Sequence, residues 1–207
     1  MHPKILTSTQ KDVLRRASAW VTEEGFYLAG GTALALQLGH RESYDFDWFR
    51  EAPIDKPDHL VESFEGAVAA SFDRQLVKPD TVLGFVKGVK ASFFRYPYAL
   101  LAAPVTWAGC HLAALEDIAA MKMLAIAQRG TKRDFIDVHE LAKSFDLTKM
   151  IEHFVEKYPA GDVPSLLRAL TYFKDAEEDP MPKMFTKVTW SQIKRDIQRI
   201  VDKYNAA

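Results

Sequence analysis

The first apolar pattern along the chain has the spacing of an amphipathic helix. Its members share one helical face and are Val13, Leu14, Ala17, Trp20 and Val21. Thr7 and Gln10 have the spacing of a capping box at the N-terminal end of this pattern. Gly25 is the residue near which we expect the helix to end.

A strand, a glycine turn, a second helix and a second strand are predicted next. The apolar run at 26–29 predicts a short strand, 30–32 (Gly-Gly-Thr) a turn, and 33–38 a helix that Gly39 closes. Residues 44–49 alternate aromatic and acidic side chains with a period of two. This alternation predicts a strand with one polar and one apolar face.

The remaining pattern divides the chain into a mixed half and a helical half. A helix is predicted over 57–70, and Lys87-Gly88 is predicted to form a hairpin turn. Strands are predicted over 72–77, 81–86 and 89–96. No strand is predicted after residue 112, and helices are expected at about 114–129, 132–145, 147–157, 163–173 and 189–204. The predicted fold class is α+β, with an α+β domain over 1–110 and a helical domain over 111–207.

The composition is that of a packed globular protein. Of the 207 residues, 48% are hydrophobic and 27% charged, and the formal net charge is −1. This charge argues against a protein that coats nucleic acid by bulk electrostatics, although a local basic patch stays possible. Cys110 is the sole cysteine, which excludes an intramolecular disulfide and a thiolate zinc site.

No segment has the ~20 uninterrupted apolar residues of a membrane span, and we expect a cytoplasmic protein.

Two carboxylates stand at alternate positions of the predicted strand at 44–49. In an extended strand Asp45 and Asp47 project from the same face, only a few ångströms apart. A divalent cation relieves their mutual repulsion, and oxygen ligands favour Mg²⁺ or Mn²⁺. The alternative is a solvated strand edge without a ligand.

The glycine turn precedes this pair in the sequence. Gly30, Gly31 and Thr32 stand where a strand leads into a helix, so free amide groups and the helix dipole favour a phosphate there. A plain tight turn is the alternative. The turn and the acidic pair together indicate metal-assisted phosphoryl or nucleotidyl transfer.

Lys122 lies in a helical segment that is otherwise almost entirely apolar. A buried ammonium needs an anionic partner, which is either a bound phosphate or one of Asp134 and Asp137, unless the side chain extends to water. Asp134 and Asp137 share one surface at the start of the next helix. Asp134 is expected to cap that helix, to orient Lys122 or to contact a metal.

At these residues the chain resembles the AbiEii/AbiGii (MenT-like) toxin family of the DNA polymerase β nucleotidyltransferase superfamily. Residues 26–49 carry the glycine pair, the Gly39-His40-Arg41 turn, Ser43 and Asp45-Phe46-Asp47 in the family's order. Residues 116–141 carry a helical lysine followed by Arg-Asp-x-x-Asp, and 172–180 match more weakly.

The resemblance implies a nucleotidyltransferase-like mixed sheet with flanking helices, followed by a C-terminal helical bundle. It implies that Gly30, Gly31 and Thr32 hold an NTP triphosphate, and that Lys122 and Asp134 complete a site in which the acidic pair binds Mg²⁺. It also implies the toxin of a bacterial toxin–antitoxin or abortive-infection system, with a separately encoded antitoxin. Some relatives add nucleotides to the tRNA acceptor end.

One position departs from the superfamily pattern. Many polymerase-β-like enzymes place a third carboxylate on a later strand, where residues 89–94 offer only Ser92. The site would then use one tight metal or recruit another acid, with Asp134 the first to test, or it would be inactive.

The remaining candidates are less specific. Arg41 is expected either to clamp a phosphate or to pair with Asp45 or Glu42. His139 is expected to be a satisfied core or surface histidine. One stripe of the last helix is expected to pack, and comprises Trp190, Ile193, Ile197, Ile200 and Tyr204. The opposite side of this helix is expected either to contact an RNA backbone or to face only solvent. Its basic residues are Lys194, Arg195, Arg199 and Lys203.

Three functions follow from these features. The leading one is a Mg²⁺-dependent nucleotidyltransferase toxin that transfers NMP from an NTP to an RNA hydroxyl, tRNA being the expected acceptor. A second keeps the chemistry but takes a small hydroxylated molecule as acceptor. A third is a binding module for nucleotide or protein that has lost catalysis, which the serine at position 92 supports.

Overall fold

The computed structural model describes residues 1–206. Seven strands form one sheet in the described part of the chain, and they are β1 (Tyr27–Ala29), β2 (Phe46–Arg50), β3 (Phe72–Lys78), β4 (Thr81–Val86), β5 (Val89–Arg95), β6 (Val105–Trp107) and β7 (Cys110–Leu112). Three helices precede or interrupt them, and they are α1 (Ser8–Glu23), α2 (Gly30–Leu38) and α3 (Pro57–Val68). Five more follow, and they are α4 (Leu115–Gln128), α5 (Lys132–Leu141), α6 (Leu147–Lys157), α7 (Val163–Leu170) and α8 (Trp190–Asn205).

The sheet is mixed. Its strand order is β3-β4-β5-β2-β1-β7-β6, in which β2 pairs with β5 and β1 with β7 in parallel, and the other neighbours are antiparallel. The α+β class and the nucleotidyltransferase-like mixed sheet expected from the sequence are confirmed.

No helix within residues 1–206 combines the length and the apolar character that crossing a bilayer would require.

An aromatic core covers one face of the sheet. Phe93 of β5 packs against Trp20 of α1 and Phe64 of α3, with ring centroids 5.7 and 5.0 Å apart. Side chains alternate between faces along a strand. The neighbouring residues Ser92 and Phe94 therefore project from the opposite face, which is left to the functional site.

Local sequence rules account for most element boundaries. The capping box of Thr7 and Gln10 is formed, with each side chain bonded to the other residue's backbone amide. The hairpin turn at Lys87-Gly88 has two residues at positive φ, as a tight two-residue turn requires. Asp45 precedes β2 rather than lying within it.

Two short strands, β6 and β7, were not predicted. Each has three residues, too few for a visible alternation, and Ala108-Gly109 joins them in a turn at positive φ. β7 becomes a strand because it pairs with β1 in parallel, a contact that the local sequence does not show. β7 spans the predicted boundary between residues 110 and 111 as part of the sheet, and the division into two domains there stays a prediction.

The helical half is anchored by an ion pair without solvent contact. Asp117 of α4 accepts hydrogen bonds from Lys157 of α6, at 2.7 Å, and from the backbone amides of Leu101 and Ala102. The loop between β5 and β6 is thus tied to two helices. This contact holds α4 in position beside the open face of the sheet.

Candidate active site

A cleft of about 620 Å³ opens between the free face of the sheet and helices α4 and α5. The start of α2, strands β2 and β5, and both helices contribute to its walls. Seven of the eight site residues predicted from the sequence line it, and they are Gly30, Gly31, Arg41, Asp45, Asp47, Lys122 and Asp134. Segments far apart in the chain therefore converge on one cavity.

The acidic pair forms the floor of this cleft. Asp47 lies on β2 between Ala29 of β1 and Ser92 of β5, and Asp45 lies just before the strand. Burial raises the pKa of Asp47, and the nearby carboxylate of Asp45 raises it further. Lys90 is the cation paired with Asp45, at 3.9 Å from Oδ2. Protein groups therefore neutralise the negative charge of Asp45 and Asp47 only weakly.

The glycine turn lies directly against the acidic pair. A Cβ placed on Gly30, whose φ is +67°, would lie 3.2 Å from Asp47 Oδ2. Helix α2 begins at this glycine, and no side chain caps its N-terminus. Its first amide groups are therefore available to an anion, as phosphate binding requires.

Thr32 is placed differently from the other predicted residues. It is buried and does not line the cleft. Its hydroxyl is hydrogen-bonded to Ser43 Oγ at 2.8 Å and donates to the backbone carbonyl of Asp45. The observed contact of this side chain is thus with the segment that carries Asp45, and its predicted contact with a triphosphate stays a prediction.

Lys122 has carboxylate partners. Its ammonium lies 3.0 Å from Asp134 Oδ1 and 2.6 Å from Asp137 Oδ2, while its side chain borders the cleft. The pairing with Asp134 or Asp137 considered from the sequence is formed, with both carboxylates, and a contact of Lys122 with a phosphate stays a prediction. The cation is therefore held in place at the wall of the cleft.

Asp137 is the centre of this buried charge cluster. It has no exposed surface and accepts hydrogen bonds from Arg41 Nε and Nη2, both at 2.7 Å, and contacts His40 Nε2 at 2.8 Å. Burial opposes ionisation, but Lys122 and Arg41 outweigh it and hold the pKa of Asp137 well below its usual range. The carboxylate thereby fixes two cations at once.

The pairing of Arg41 differs from both pairings considered from the sequence. Its ion-pair partner is Asp137, neither Asp45 nor the Glu42 carboxylate, and its Nη1 donates to the backbone carbonyl of Glu42. The guanidinium also borders the cleft beside Gly31. Arg41 is almost fully buried, and its predicted contact with a phosphate stays a prediction.

Asp134 caps α5 and orients Lys122. Its Oδ2 accepts from the Thr131 hydroxyl at 2.6 Å and from Arg129 Nε at 3.1 Å. Burial raises the pKa of Asp134, yet Lys122, Arg129 and Thr131 together lower it to about 2. Both oxygens are thus engaged by protein donors, which weakens the case for Asp134 as a replacement metal ligand.

The donor set at the floor of the cleft fits one hard cation. Ser92 pairs with Asp47 in register, at the position where a third carboxylate is expected. Within residues 1–206 no cluster of three or more His, Cys, Asp or Glu side chains is arranged to hold a metal. Two carboxylates and a serine hydroxyl remain, which are oxygen ligands of the kind that Mg²⁺ or Mn²⁺ prefers.

Sequence reasoning missed the other end of the cleft. Phe49, Phe94 and Tyr96 line it beyond the acidic pair, and Arg95 and Arg129 also border the cleft. Phe49 has the same strand parity as Asp47, and Phe94 the same as Ser92. That parity is the signal that would have placed both rings in the site.

The less specific candidates lie outside the cleft. His139 Nε2 is 3.1 Å from Asp196 Oδ2, a satisfied histidine as expected. Ile193 and Ile197 of the α8 stripe are buried. On the opposite side of α8, Lys194 pairs with Glu177 and Arg199 with Asp196.

Comparison with known proteins identifies the relatives of this chain. The model of the family described as nucleotidyl transferase AbiEii toxin, type IV TA system, matches residues 12–106 and 104–206. An uncharacterised protein of Aquifex aeolicus (strain VF5) is 34% identical over 213 residues, which cover 96% of this chain and 97% of that protein.

Two solved structures share the fold at low sequence identity. MenT4, a nucleotidyltransferase toxin of Mycobacterium tuberculosis H37Rv, is similar with a TM-score of 0.55 and 17% identity over 92% of this chain and 82% of its own. JHP933 of Helicobacter pylori is similar with a TM-score of 0.52 and 18% identity over 99% and 92%. The chain therefore belongs to the nucleotidyltransferase AbiEii toxin family of type IV toxin–antitoxin systems, and is an NTP-dependent nucleotidyltransferase.

Proposed function

We propose that this toxin is a metal-dependent enzyme that transfers NMP from an NTP to a hydroxyl group of RNA, with tRNA as the acceptor. The observation that carries the proposal is the contact between Gly30 and Asp47, which brings the phosphate-binding turn and the acidic pair into one cleft. Such a cleft is suited to holding the triphosphate with its α-phosphorus, the reacting atom, beside the acidic pair.

The triphosphate is bound by the backbone and one guanidinium. The uncapped amides at the start of α2 donate to phosphate oxygens, and Arg41 adds a fixed positive charge beside Gly31. Because Asp137 holds Arg41 in a bidentate pair, little side-chain freedom is lost when the nucleotide binds.

Asp45 and Asp47 are the residues that would hold Mg²⁺ or Mn²⁺, with the Ser92 hydroxyl beside them. The ion neutralises triphosphate charge and activates the attacking oxygen when bound. Lys122, fixed by Asp134 and Asp137, faces the same cleft and stabilises negative charge as pyrophosphate departs.

An RNA acceptor is supported by the cations around the cleft. The side chains of Lys90, Arg95 and Arg129 all line the cleft and are 44%, 39% and 65% exposed. Exposed cations at an open mouth suit a chain of phosphates better than a small neutral acceptor. With NTP as donor and tRNA as acceptor, we expect the reaction to take place in the cytoplasm. The type IV family implies an antitoxin, which we expect to be encoded separately.

The test is transfer of label from each α-labelled NTP to total RNA in the presence of Mg²⁺. The wild-type protein is expected to label an RNA band of tRNA size, and Asp47→Ala is expected to abolish labelling. Asp73→Ala is the matched control, because Asp73 is an exposed carboxylate on the edge strand β3. Label on a small molecule would instead favour the second acceptor class, and NTP binding without any transfer would favour a binding module.

A further inference from the structure

The cleft continues beyond the acidic pair along the same face of the sheet. Asp47 and Ser92 are paired across β2 and β5, and two residues further on Phe49 is paired with Phe94. Side chains two residues apart share a face and lie about 7 Å apart along a strand. The two rings therefore line the cleft at a distance from the carboxylates that a ribose can span.

These rings form an aromatic stack that is only half buried. Phe49 lies on the middle strand, and Tyr27 of β1 stacks on it at 6.1 Å and 27°. The ring of Phe49 stacks with that of Phe94 at 5.3 Å and 26°, and Tyr96 meets the edge of the same cluster, with its ring 5.3 Å from that of Phe49. Phe49, Phe94 and Tyr96 are each partly exposed, and each borders the cleft. An aromatic surface next to a phosphate site is suited to a planar ligand.

Helix α4 supplies a second apolar surface to the same cleft. Besides Lys122, its cleft residues have the spacing of one helical face and are Met121, Leu124, Ala125 and Gln128. The first three are apolar, while the Gln128 amide both donates and accepts hydrogen bonds. The cleft thus combines apolar surfaces from the sheet and from α4 with the hydrogen-bonding amide of Gln128.

We propose that Phe94, backed by Phe49, is the stacking platform for the nucleobase of the donor NTP. This inference rests on the proposed function, because it takes the triphosphate to lie at the glycine turn. The ribose then spans the distance from the acidic pair to the rings, and the base stacks on Phe94. The acceptor's base is the other source of the same chemistry, and the experiment separates the two.

The experiment measures binding of each NTP and of inorganic tripolyphosphate by calorimetry with Mg²⁺ and without RNA. Phe94→Ala is expected to weaken NTP binding about tenfold, as loss of one stacking contact does, and to leave tripolyphosphate binding unchanged. Phe94→Trp keeps an aromatic face and is expected to retain NTP affinity. Phe85→Ala is the matched control, because Phe85 is an exposed aromatic residue of β4 outside the cleft.

Several results would overturn the platform. An equal loss of NTP and tripolyphosphate binding in Phe94→Ala would show a structural role, and unchanged NTP binding with a raised KM for RNA would assign the rings to the acceptor. Wild-type binding of NTP no tighter than of tripolyphosphate would also overturn it, even if RNA is labelled. Tight, Phe94-dependent NTP binding without transfer to RNA would refute the proposed function and leave the platform intact.

Discussion

The guanidinium of Arg41 lies against the Cα of Gly31: a Cβ added to Gly31 would be only 2.6 Å from Arg41 Nη2. The same Nη2 donates to Asp137 at 2.7 Å, so the guanidinium is held from the other side. The glycine turn, the cation beside it and a buried carboxylate of α5 are therefore coupled sterically and electrostatically.

Gly31→Ala is expected to reduce kcat/KM about 10- to 100-fold and to lower the free energy of unfolding, because it strains the buried pair of Arg41 and Asp137. The new methyl group displaces Arg41 from its position, and a misplaced binding group lowers the rate strongly. Alanine also suits a helix better than glycine, by about 1 kcal/mol, which offsets part of the strain. Steady-state kinetics and urea unfolding measure the two effects separately.

Gly66→Ala is the matched control for this substitution. Gly66 is a helical glycine of α3, and a Cβ there meets nothing within 4 Å. We expect unchanged activity and equal or higher stability. Equal activity of the two alanine variants would show that the contact between Gly31 and Arg41 has no functional consequence.

Asp137→Asn is expected to lower the free energy of unfolding by about 3–5 kcal/mol, because it leaves Arg41 and Lys122 buried without their shared counter-ion. Urea denaturation measures the change. Asp12→Asn serves as the control, since the ion pairs of Asp12 lie at the surface, where solvent screens them, and are expected to contribute little. A loss for Asp137→Asn as small as that of the control would contradict a central role for this carboxylate.

The stability of the protein is expected to depend on Asp134 in acid. The pKa of this carboxyl is lowered from 3.8 to about 2, because Lys122, Arg129 and Thr131 outweigh the effect of burial. A lowered pKa contributes stability that is present above the unfolded-state value and lost as the pH falls through the folded-state value. The contribution is about 2 kcal/mol and disappears between about pH 4 and 2.

The free energy of unfolding of wild type and Asp134→Asn, measured from pH 6 to pH 2, checks this prediction. The difference between the two proteins is expected to be greatest above pH 4 and to shrink towards pH 2. Parallel profiles across the whole range would refute the assignment of the low pKa to Asp134.

Ser92→Asp is expected to have opposite effects with and without metal. A third carboxylate beside Asp47 adds like-charge repulsion at a buried position, so the metal-free variant is expected to lose about 1–3 kcal/mol of stability. With Mn²⁺ the added oxygen ligand is expected to tighten binding about tenfold. Calorimetric titration with Mn²⁺ measures the affinity, and thermal unfolding with and without Mn²⁺ measures the stability.

Ser92→Asn distinguishes charge from size at the same position. It adds similar volume without charge, and we expect no gain in Mn²⁺ affinity. Asp47→Asn is expected to abolish the thermal stabilisation that Mn²⁺ gives to the wild-type protein. Retention of that stabilisation would place the metal away from the acidic pair.

Local patterns in the sequence determined most secondary structure and the identity of the site segments. The capping box at Thr7 and the two-residue turn at Lys87-Gly88 depend only on neighbouring residues, and both formed as predicted. The order of the glycine turn, the acidic pair and the helical lysine likewise predicted which segments line the cleft. These features are visible in the sequence because each depends on a few consecutive residues.

Tertiary packing alone decided the partners of the charged groups and the extent of the cleft. Arg41 and Asp137 are 96 residues apart, so their pairing follows from how α5 packs beside the turn after α2. The short strand β7 exists because β1 lies beside it, and the rings of Phe49 and Phe94 reach the cleft because β2 and β5 align in register. Contacts between distant segments depend on the free energy of the whole packed core, to which many residues contribute weakly, and no local pattern contains that information.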